Sequence, residues 1–368
     1  MTKSTKKILF YIEQEYYWSS LEPVYNEFSK DDKYDLYIKA GKNQKRILKI
    51  FLKSQARKIG RRFKDDGYNI AETTGNFDAV FCGAQVKNPE RFGNALLCNL
   101  DHGPGIKTLR YRHLLKQKKT KYVCFIEGMY RQEKFKKYGL DKIHDIYITG
   151  LPKLDKFFNG YYNKEKLMDK FSFPNDKKIV LYAPSYKPTS IFMIGDQIIS
   201  LTDKYRIVVK LHPYSWKGKY APHSQHRFFE RKMTKYPDLH LIGPEEHNIL
   251  PYMFIADTMI SDGSSVINEF LALERCGIIV NLPDEVQTYR DGASMLENKT
   301  SEWLNNSFIH YNPGDDLRQL VEQSLHPSKE RTKHIKRDKE YIFSYTDGRS
   351  AYRVKKIVEQ RLDKKEKS

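Results

Sequence analysis

Short apolar runs of strand length recur along the whole chain and alternate with longer amphipathic stretches. In the first half of the chain the runs are KILFYI, YDLYIK, FDAVFCG, ALLCNLDHG, KYVCFIEG and DIYITG. In the second half they are KKIVLYAPS, RIVVKLHP, LHLIG, TMISDG and CGIIVNL. Runs of this kind that end in Gly, Pro, Ser or Asp and are separated by helical patterns indicate βαβ units and parallel sheets. The pattern therefore predicts an α/β fold with a doubly wound architecture that occurs twice.

The length of the chain suits two such domains. A chain of 368 residues can bury a separate core in each of two α/β domains. The Pro/Gly turn GLPKLD and a polar stretch around Asn175 precede a fresh strand, so we predict a boundary near residue 175. The predicted domains are residues 1–174 and 175–350. Residues 351–368 are predicted to form the basic end of a charged helix and a frayed tail.

The chain is strongly basic. Its 65 Lys and Arg residues against 46 Asp and Glu residues give a formal charge of +19. Such a surface attracts anions, which include phosphates, nucleotides, nucleic acid and acidic lipid headgroups. Charge alone does not choose among these partners.

Cysteine spacing and hydropathy together predict where in the cell the protein works. The four cysteines are widely spaced in apolar surroundings and form no CxxC pair, which predicts reduced core thiols. No stretch reaches the roughly 18 apolar residues of a membrane-spanning helix. The apolar stretch Ile8 to Ile12 is too short for the core of a signal peptide. We therefore expect a cytoplasmic protein, or one that is peripheral to the inner face of the cell membrane.

Polar residues that directly follow predicted strands are the candidate ligand-binding residues, because ligands bind outside the carboxyl ends of strands in open α/β sheets. The segment SDGSSVINEF begins at Ser261, and its small hydroxyl residues at a helix start offer N–H groups to a phosphate. An ordinary helix N-cap has the same composition. In KLHP, Lys210 and His212 point to the same side of an extended segment and both donate to diphosphate oxygens, unless they form a plain surface pair.

Two further strand ends carry candidate residues. In DHGPGIK, His102 follows a strand, and its near-neutral pKa suits a general base, although a structural hydrogen-bonding role is an equal alternative. In LYAPSYK, Ser185 contributes a hydroxyl close to a cation. Taken alone, that segment is weak evidence for a ligand-binding site.

Taken in order, these segments resemble the CDP-glycerol glycerophosphotransferase family, the primases and polymerases of teichoic acids and related capsular polymers. The matching segments are HGPGIK, GLPKLD, LYAPSYK, KLHP, ADTMISDGSSVINEF, PDEVQTY and YTDGRSAYR, between Asn99 and Arg353. The ordered set is far more specific than any one of its members. The resemblance implies the GT-B architecture, in which two Rossmann-like domains face a central cleft.

The resemblance also implies an activity and a set of site residues. The implied reaction transfers a polyol phosphate, glycerol phosphate first among candidates, from a CDP-activated donor to a hydroxyl of a lipid-linked cell-envelope glycan or growing polymer, and releases CMP. His102 matches the family's proposed base, and Gly103 and Lys107 lie with it on the acceptor side. The donor side comprises Lys210, His212, Asp262, Ser264, Ser265, Glu269 and Ser185, with His212 also assigned to catalysis.

Two departures from the family pattern bear on the donor polyol and the acceptor more than on the reaction type. Family members commonly have Tyr, Thr or Asn where this chain has Gly263. They commonly have HG-Thr-Pro-Leu-Lys where it has HGPGIK.

We expect the reaction to need no cofactor. In this mechanism Lys210, His212 and the N–H groups at Ser264 and Ser265 stabilise the charge that builds on the diphosphate. The sequence has no DxD pair and no metal-ligand cluster, so cations and a helix terminus are assigned the role of a divalent ion. The prediction is a metal-independent enzyme.

The segment KNQKRILKIFLKSQARKIGRRFK, residues 42–64, is dense in basic residues. Its apolar residues recur at helical spacing, which predicts a cationic amphipathic helix that binds an anionic membrane. The predicted contact residues are Lys45, Lys49, Phe51, Leu52, Lys53 and Arg57. The alternative is an ordinary domain helix that buries its apolar stripe against the sheet.

Two other functions compete with polyol phosphate transfer. A nucleotide-sugar glycosyltransferase or epimerase of envelope polysaccharide synthesis shares the two-domain cleft, and such an enzyme releases UDP or GDP or interconverts sugars. The charge of +19 also suits RNA. Because the basic residues concentrate in residues 42–64 and at the termini, without a recognised RNA-binding motif, we predict no nucleic-acid partner.

Overall fold

The computed structural model describes residues 5–41, 44–47, 51–54, 56–101, 103–117, 119–216 and 225–366, with the backbone alone for 44–47, 51–54 and 366. The strands are β1 (Lys6–Ile12), β2 (Tyr34–Ala40), β3 (Gln44–Ile47), β4 (Phe51–Ser54), β5 (Ala79–Cys82), β6 (Leu96–Leu100), β7 (Val123–Ile126), β8 (Asp145–Ile148), β9 (Ile179–Tyr182), β10 (Arg206–Val209), β11 (Leu239–Leu241), β12 (Thr258–Ser261), β13 (Ile278–Val280) and β14 (Ile309–Tyr311). The α-helices are α1 (Trp18–Phe28), α2 (Ala56–Asp65), α3 (Leu109–Lys116), α4 (Met129–Lys137), α5 (Asp155–Phe158), α6 (Lys164–Phe171), α7 (Ile191–Ser200), α8 (Pro213–Trp216), α9 (Gln225–Met233), α10 (Leu250–Ile255), α11 (Val266–Leu271), α12 (Leu317–Leu325), α13 (Lys329–Ile342) and α14 (Ser350–Glu366).

The chain forms two compact units. Unit 1 comprises Met1–Gly103, Leu109–Asn159 and Ile342–Ser368, and unit 2 comprises Pro104–Thr108 and Gly160–Tyr341. Each unit contains a six-stranded parallel sheet, in the order β2-β1-β5-β6-β7-β8 in unit 1 and β11-β10-β9-β12-β13-β14 in unit 2. In unit 2 the chain runs outward from β9 to one edge and then returns to fill the other side, as in doubly wound folds. The predicted α/β class with two doubly wound sheets is confirmed.

Strand β1, which lies between β2 and β5, shows why the strands appear in the sequence as continuous apolar runs. In β1, Ile8, Phe10 and Ile12 pack into the core on one face of the sheet. Leu9 and Tyr11 pack into the core on the opposite face. A parallel strand that is covered on both faces needs apolar residues at every position. The same burial encloses the four cysteines, which are free and buried as predicted.

The C-terminal helix belongs to unit 1. The buried face of α14 consists of Ala351, Val354, Val358 and Leu362. The carboxylate of Asp155 accepts hydrogen bonds from Ser350 N at 3.0 Å and Ala351 N at 2.8 Å, and so caps the start of α14. Residues 351–366 are helical and basic in the last turn, in line with the predicted helix end, and the apolar stripe that packs on unit 1 is narrow among charged residues.

The unit boundary differs from the prediction near residue 175. Helix α6 belongs to unit 2, where Phe171 stacks on Tyr252 with 4.6 Å between ring centroids and Phe173 lies 4.6 Å from the ring of His240. The chain enters unit 2 at Gly160 and leaves it after Tyr341. The apolar residues of α6 therefore pack on the second core, although the loop that follows them has linker composition.

The single helix predicted over residues 42–64 is also wrong. Strands β3 and β4 form an antiparallel pair in which Ile47 is opposite Phe51, and α2 begins at Ala56. The nearly continuous apolar run between these strands fits a strand as well as a helix, which is why spacing alone misled the prediction. Ile59 and Phe63 of α2 are buried in the core of unit 1, so for α2 the ordinary domain helix is the correct alternative.

The residues predicted to contact a membrane do not share one helix. Lys45, Phe51, Leu52 and Lys53 lie in strands whose side chains are outside the described part of the structure, and Lys49 is outside the described residues altogether. Arg57 is exposed on α2. In the described ranges of the chain, no helix combines the length and the apolar composition that crossing a bilayer requires.

Candidate functional site

The polar residues that follow three adjacent strands of unit 2 meet at one edge of its sheet. Strand β9 lies between β10 and β12, and its last residue, Tyr182, pairs with Val209 of β10 and Ile260 of β12. Parallel neighbours end at the same edge, so the residues that follow them converge. The predicted donor-side residues Ser185, Lys210, His212 and Asp262 all follow these three strands.

Asp262 holds the loop that follows β9. Its carboxylate is fully buried and accepts hydrogen bonds from Ser185 N at 2.7 Å and from both Ser190 N and Ser190 Oγ at 2.9 Å. Burial raises the pKa of this carboxyl to about 6, against the opposing effect of those hydrogen bonds. A carboxylate with three internal donors positions the backbone from Ser185 to Ser190, and this is the role that its geometry gives Asp262.

Lys107 lies in the same cluster, although its sequence motif belongs to the acceptor side of the predicted site. Residues 104–108 are part of unit 2, where Thr108 N donates to Met295 O at 3.0 Å. The ammonium of Lys107 donates to Ser185 Oγ at 3.3 Å. Burial lowers the pKa of Lys107, and the charge of Asp262 partly offsets this shift.

Lys210 carries a buried positive charge, and its hydrogen-bond partner in the described structure is uncharged. Its side chain is 6% exposed, and its Nζ donates to Leu211 O at 3.4 Å, the one hydrogen-bond partner it has within the described residues. Burial lowers its pKa to about 8, with a partial offset from the charges of Glu246 and Glu245. A buried charge is costly unless it is paired, so this position favours an anion beside Lys210.

His212 is arranged as a hydrogen-bond donor. Its Nδ1 accepts a hydrogen bond from Tyr214 N at 3.1 Å, and its ring centroid lies 4.5 Å from that of Tyr186. A neutral imidazole that accepts at Nδ1 carries its proton on Nε2. His212 can therefore donate from Nε2 to an anionic oxygen.

The serine cluster lies at the start of α11. Ser264 N donates to Asp262 O at 2.6 Å. The turn after β12 thus supplies an acceptor for this N–H, and the predicted binding of a phosphate by Ser264 and Ser265 stays a prediction. Ser265 directly precedes α11 and is partly exposed, whereas Glu269 is buried within the helix.

Gly263 lies against side chains that fill the adjoining space. A Cβ atom at this position would lie 3.3 Å from Leu296 Cδ1 and 3.8 Å from Thr300 Cγ2. A larger residue here, as is common in the family that the sequence resembles, would require Leu296 to move.

In unit 1, His102 lies outside the described residues, but both of its neighbours in the sequence contact a buried arginine. Arg131 Nη2 lies 3.5 Å from Gly103 O and 3.9 Å from the carboxylate of Asp101. Arg131 also donates from Nε to Glu127 at 2.9 Å. Arg131 and Glu127 were not among the residues predicted from the sequence, although their spacing of four residues across the start of α4 is a signal of an ion pair.

Other residues that support the site were also missed. Asn268 on α11 donates to Pro104 O and accepts from Trp303 Nε1 at 2.8 Å, which anchors the Lys107 segment. Ser190, which binds Asp262, directly precedes α7. A serine at this position is typical of an ordinary helix N-cap, so it gave no signal of a binding role. Across the ranges that the structure describes, no three His, Cys, Asp or Glu side chains gather where they could hold a metal ion.

Comparison with known proteins relates this chain to a family and to a fold. The family model described as CDP-glycerol:poly(glycerophosphate) glycerophosphotransferase matches residues 110–360. The chain is 25% identical over 228 residues to the teichoic acid poly(ribitol-phosphate) polymerase of Bacillus spizizenii, a match that covers 58% of this chain and 34% of that protein. It is 26% identical over 201 residues to the teichoic acid poly(glycerol phosphate) polymerase of the same organism, covering 52% of this chain and 48% of that protein. The chain thus spans between about a third and a half of the length of these curated relatives.

Solved structures show the same fold over nearly the whole chain. The wall teichoic acid polymerase TagF superposes with a TM-score of 0.65 at 14% identity, over 99% of this chain and 90% of that chain. A putative UDP-N-acetylglucosamine 2-epimerase from Listeria monocytogenes superposes with a TM-score of 0.59 at 12% identity, over 98% of both chains. At these identities the structural likeness shows the fold alone, because one fold can carry many reactions.

Proposed function

Because the chain belongs to the CDP-glycerol:poly(glycerophosphate) glycerophosphotransferase family, we propose that it transfers a polyol phosphate from a CDP-activated donor to an acceptor hydroxyl and releases CMP. Glycerol phosphate is the first candidate for the transferred group. The acceptor is a lipid-linked cell-envelope glycan or a growing polymer of the teichoic acid type. The matched residues 110–360 include Ser185, Lys210 and Asp262.

The observation that carries this proposal is the buried positive charge at the strand ends of unit 2. Lys210 has one uncharged hydrogen-bond partner in the described residues, a carbonyl oxygen, and burial lowers its pKa to about 8. His212 lies two residues further along and can donate from Nε2. A diphosphate supplies the negative charge and the acceptor oxygens that this arrangement favours. The geometry thus supports binding of the donor's diphosphate beside Lys210.

The proposed chemistry is an in-line displacement at the donor's β-phosphorus. His102, which the HGPGIK motif assigns as the base, takes the proton of the acceptor hydroxyl while the hydroxyl oxygen attacks the β-phosphorus. The bond from the β-phosphorus to the bridging oxygen breaks, and CMP leaves with the electron pair. Lys210 and His212 stabilise the charge that develops on the leaving phosphate. Asp262 keeps the Ser185 loop in place.

We further infer that the enzyme works at the inner face of the membrane through the charged face of α2. Arg57, Lys58, Arg61 and Lys64 are exposed on this helix, whereas its apolar residues are buried in unit 1. Basic residues near an anionic bilayer contribute about 1 kcal/mol each. The membrane contact is thus electrostatic, because the apolar stripe of α2 packs inside the protein.

Vesicle sedimentation tests the membrane contact. Changing Arg57 and Arg61 to Glu should release the protein from anionic vesicles and lower turnover on a lipid-linked acceptor, with little effect on a short soluble acceptor. The matched control changes Arg227 and Arg231 to Glu, which are also exposed and four residues apart on a helix, α9 in unit 2. Equal loss of sedimentation in both variants would contradict a contact specific to α2.

Product analysis over a panel of donors tests the reaction. The protein should release CMP from CDP-glycerol, CDP-ribitol or another CDP-polyol in the presence of lipid-linked acceptors, and the preferred donor identifies the polyol. Lys210→Met is the matched control and should release far less CMP. Release of UDP or GDP from a nucleotide sugar, or interconversion of sugars, would instead support the glycosyltransferase or epimerase alternative.

A further inference from the structure

The lysine of the HGPGIK motif belongs to unit 2, as part of the segment Pro104–Thr108, whereas the motif's first two residues belong to unit 1. Its segment, residues 104–108, pairs with residues 294–297: Glu297 N donates to Ile106 O at 2.7 Å, and Thr108 Oγ1 donates to Ser294 O at 2.7 Å. Ile106 is 1% exposed. The backbone on both sides of Lys107 is therefore fixed to unit 2.

The hydrogen bonds of the Lys107 ammonium within the described structure favour an additional, anionic acceptor. An ammonium has three N–H donors. Its hydrogen-bond partner in the described structure is the neutral Ser185 Oγ at 3.3 Å, and none of the described carboxylates forms an ion pair with it. The nearby Asp262 carboxylate already accepts three hydrogen bonds from Ser185 and Ser190.

Lys107 and His212 flank the same aromatic ring. The Nζ of Lys107 lies 5.6 Å from the ring centroid of Tyr186, and the imidazole of His212 lies 4.5 Å from it. A diphosphate bound beside this ring can accept from His212 at one phosphate and from Lys107 at the other. The oxygens of two linked phosphates point in several directions, which suits one cationic and one neutral donor near the same ring.

We propose that Lys107 binds the diphosphate of the donor, as a partner of Lys210, and does not serve the acceptor side to which its motif assigns it. The inference rests on the proposed function, because the donor is taken to be a CDP-linked polyol. Lys107 is then a residue that contacts the transferred or leaving phosphate. A purely structural alternative is that Lys107 only balances the buried charge of Asp262.

Calorimetry with CDP and cytidine separates these roles. Lys107→Met should weaken CDP binding by about 10- to 100-fold, the loss expected for one charge-assisted hydrogen bond. It should leave the affinity for cytidine, which has no phosphate, and the KM for a soluble acceptor analogue unchanged. The matched control is Lys299→Met, because Lys299 is exposed in the same unit and pairs with Asp284. This control should bind CDP like the wild type.

The possible failures are distinguishable. Unchanged CDP affinity together with a raised acceptor KM in Lys107→Met would overturn the inference and restore the acceptor role. Equal loss of CDP and cytidine binding would reveal a collapsed site, which supports the structural alternative and also overturns the inference. Lys107→Gln, which keeps a polar group, provides a second variant if the Met protein does not fold. A wild-type protein that binds no CDP would overturn the proposed function and this inference with it.

Discussion

Donor binding should weaken as the pH rises through the pKa of Lys210. That pKa lies near 8 because burial disfavours the charged form, and the group must be protonated to bind a diphosphate. At pH 9 about a tenth of the molecules carry the charged form, so the apparent affinity for CDP should be about tenfold lower than at pH 7. Because the bound diphosphate raises the pKa of Lys210 again, binding above pH 8 should take up a proton.

Isothermal titration at pH 7, 8 and 9 in buffers of different ionisation enthalpy measures both the affinity and the proton uptake. Lys210→Met should bind CDP weakly and lose most of the change around pH 8. A smaller change should remain, since the pKa of Lys107 is also lowered by burial. A flat wild-type affinity from pH 7 to 9, or an unchanged tenfold fall in the Met variant, would refute the assignment of Lys210 to the diphosphate.

The pH dependence of folding stability provides an independent check on the direction of the Lys210 pKa shift. The folded-state pKa of Lys210 is lower than its usual value, so between pH 8 and about 10.4 the unfolded chain binds more protons than the folded one. The contribution of Lys210 to the free energy of unfolding therefore increases with pH over this interval. Alkaline pH should weaken donor binding without this residue weakening the fold.

Three further predictions concern the base, the metal and the cap of α14. His102→Ala should abolish CMP release and leave CDP affinity nearly unchanged, because an acceptor-side base acts in the transition state; loss of CDP binding would move His102 into the donor site. Activity should survive EDTA, and activity that is lost and returns only with a divalent ion would contradict charge neutralisation by Lys210 and His212. Asp155→Ala should lower the free energy of unfolding by about 2 kcal/mol in urea titrations, because two buried N–H groups at the start of α14 lose their acceptor, while CDP affinity stays the same. An unchanged unfolding midpoint would contradict this capping role.

The sequence predicted the sheets well because a strand covered on both faces must be apolar throughout. All eleven apolar runs correspond to strands of the two parallel sheets. Strand β14 was missed because its three residues, IHY, are too few and too polar for that signal. The hairpin of β3 and β4 was missed because a short apolar run fits two periodicities.

The candidate site was predictable only where it depends on strand ends. Lys210 and His212 follow β10, Asp262 follows β12, and both strands pair with β9, so the sheet topology brings their ends to one edge. The position of Lys107 depends instead on pairing with residues near 295, and the hydrogen bonds of Asp262 reach Ser190, 72 residues away. Contacts at such separations leave no local pattern in a single sequence.

The most direct test of the account is the stoichiometry of transfer from CDP-glycerol labelled in both the cytidine and the glycerol. The account predicts one CMP for each labelled glycerol phosphate attached to a lipid-linked acceptor, and very little of either product with Lys210→Met. Labelled CMP without labelled acceptor would indicate a hydrolase. Labelled donor that remains intact beside a wild-type protein across the acceptor panel would contradict polyol phosphate transfer altogether.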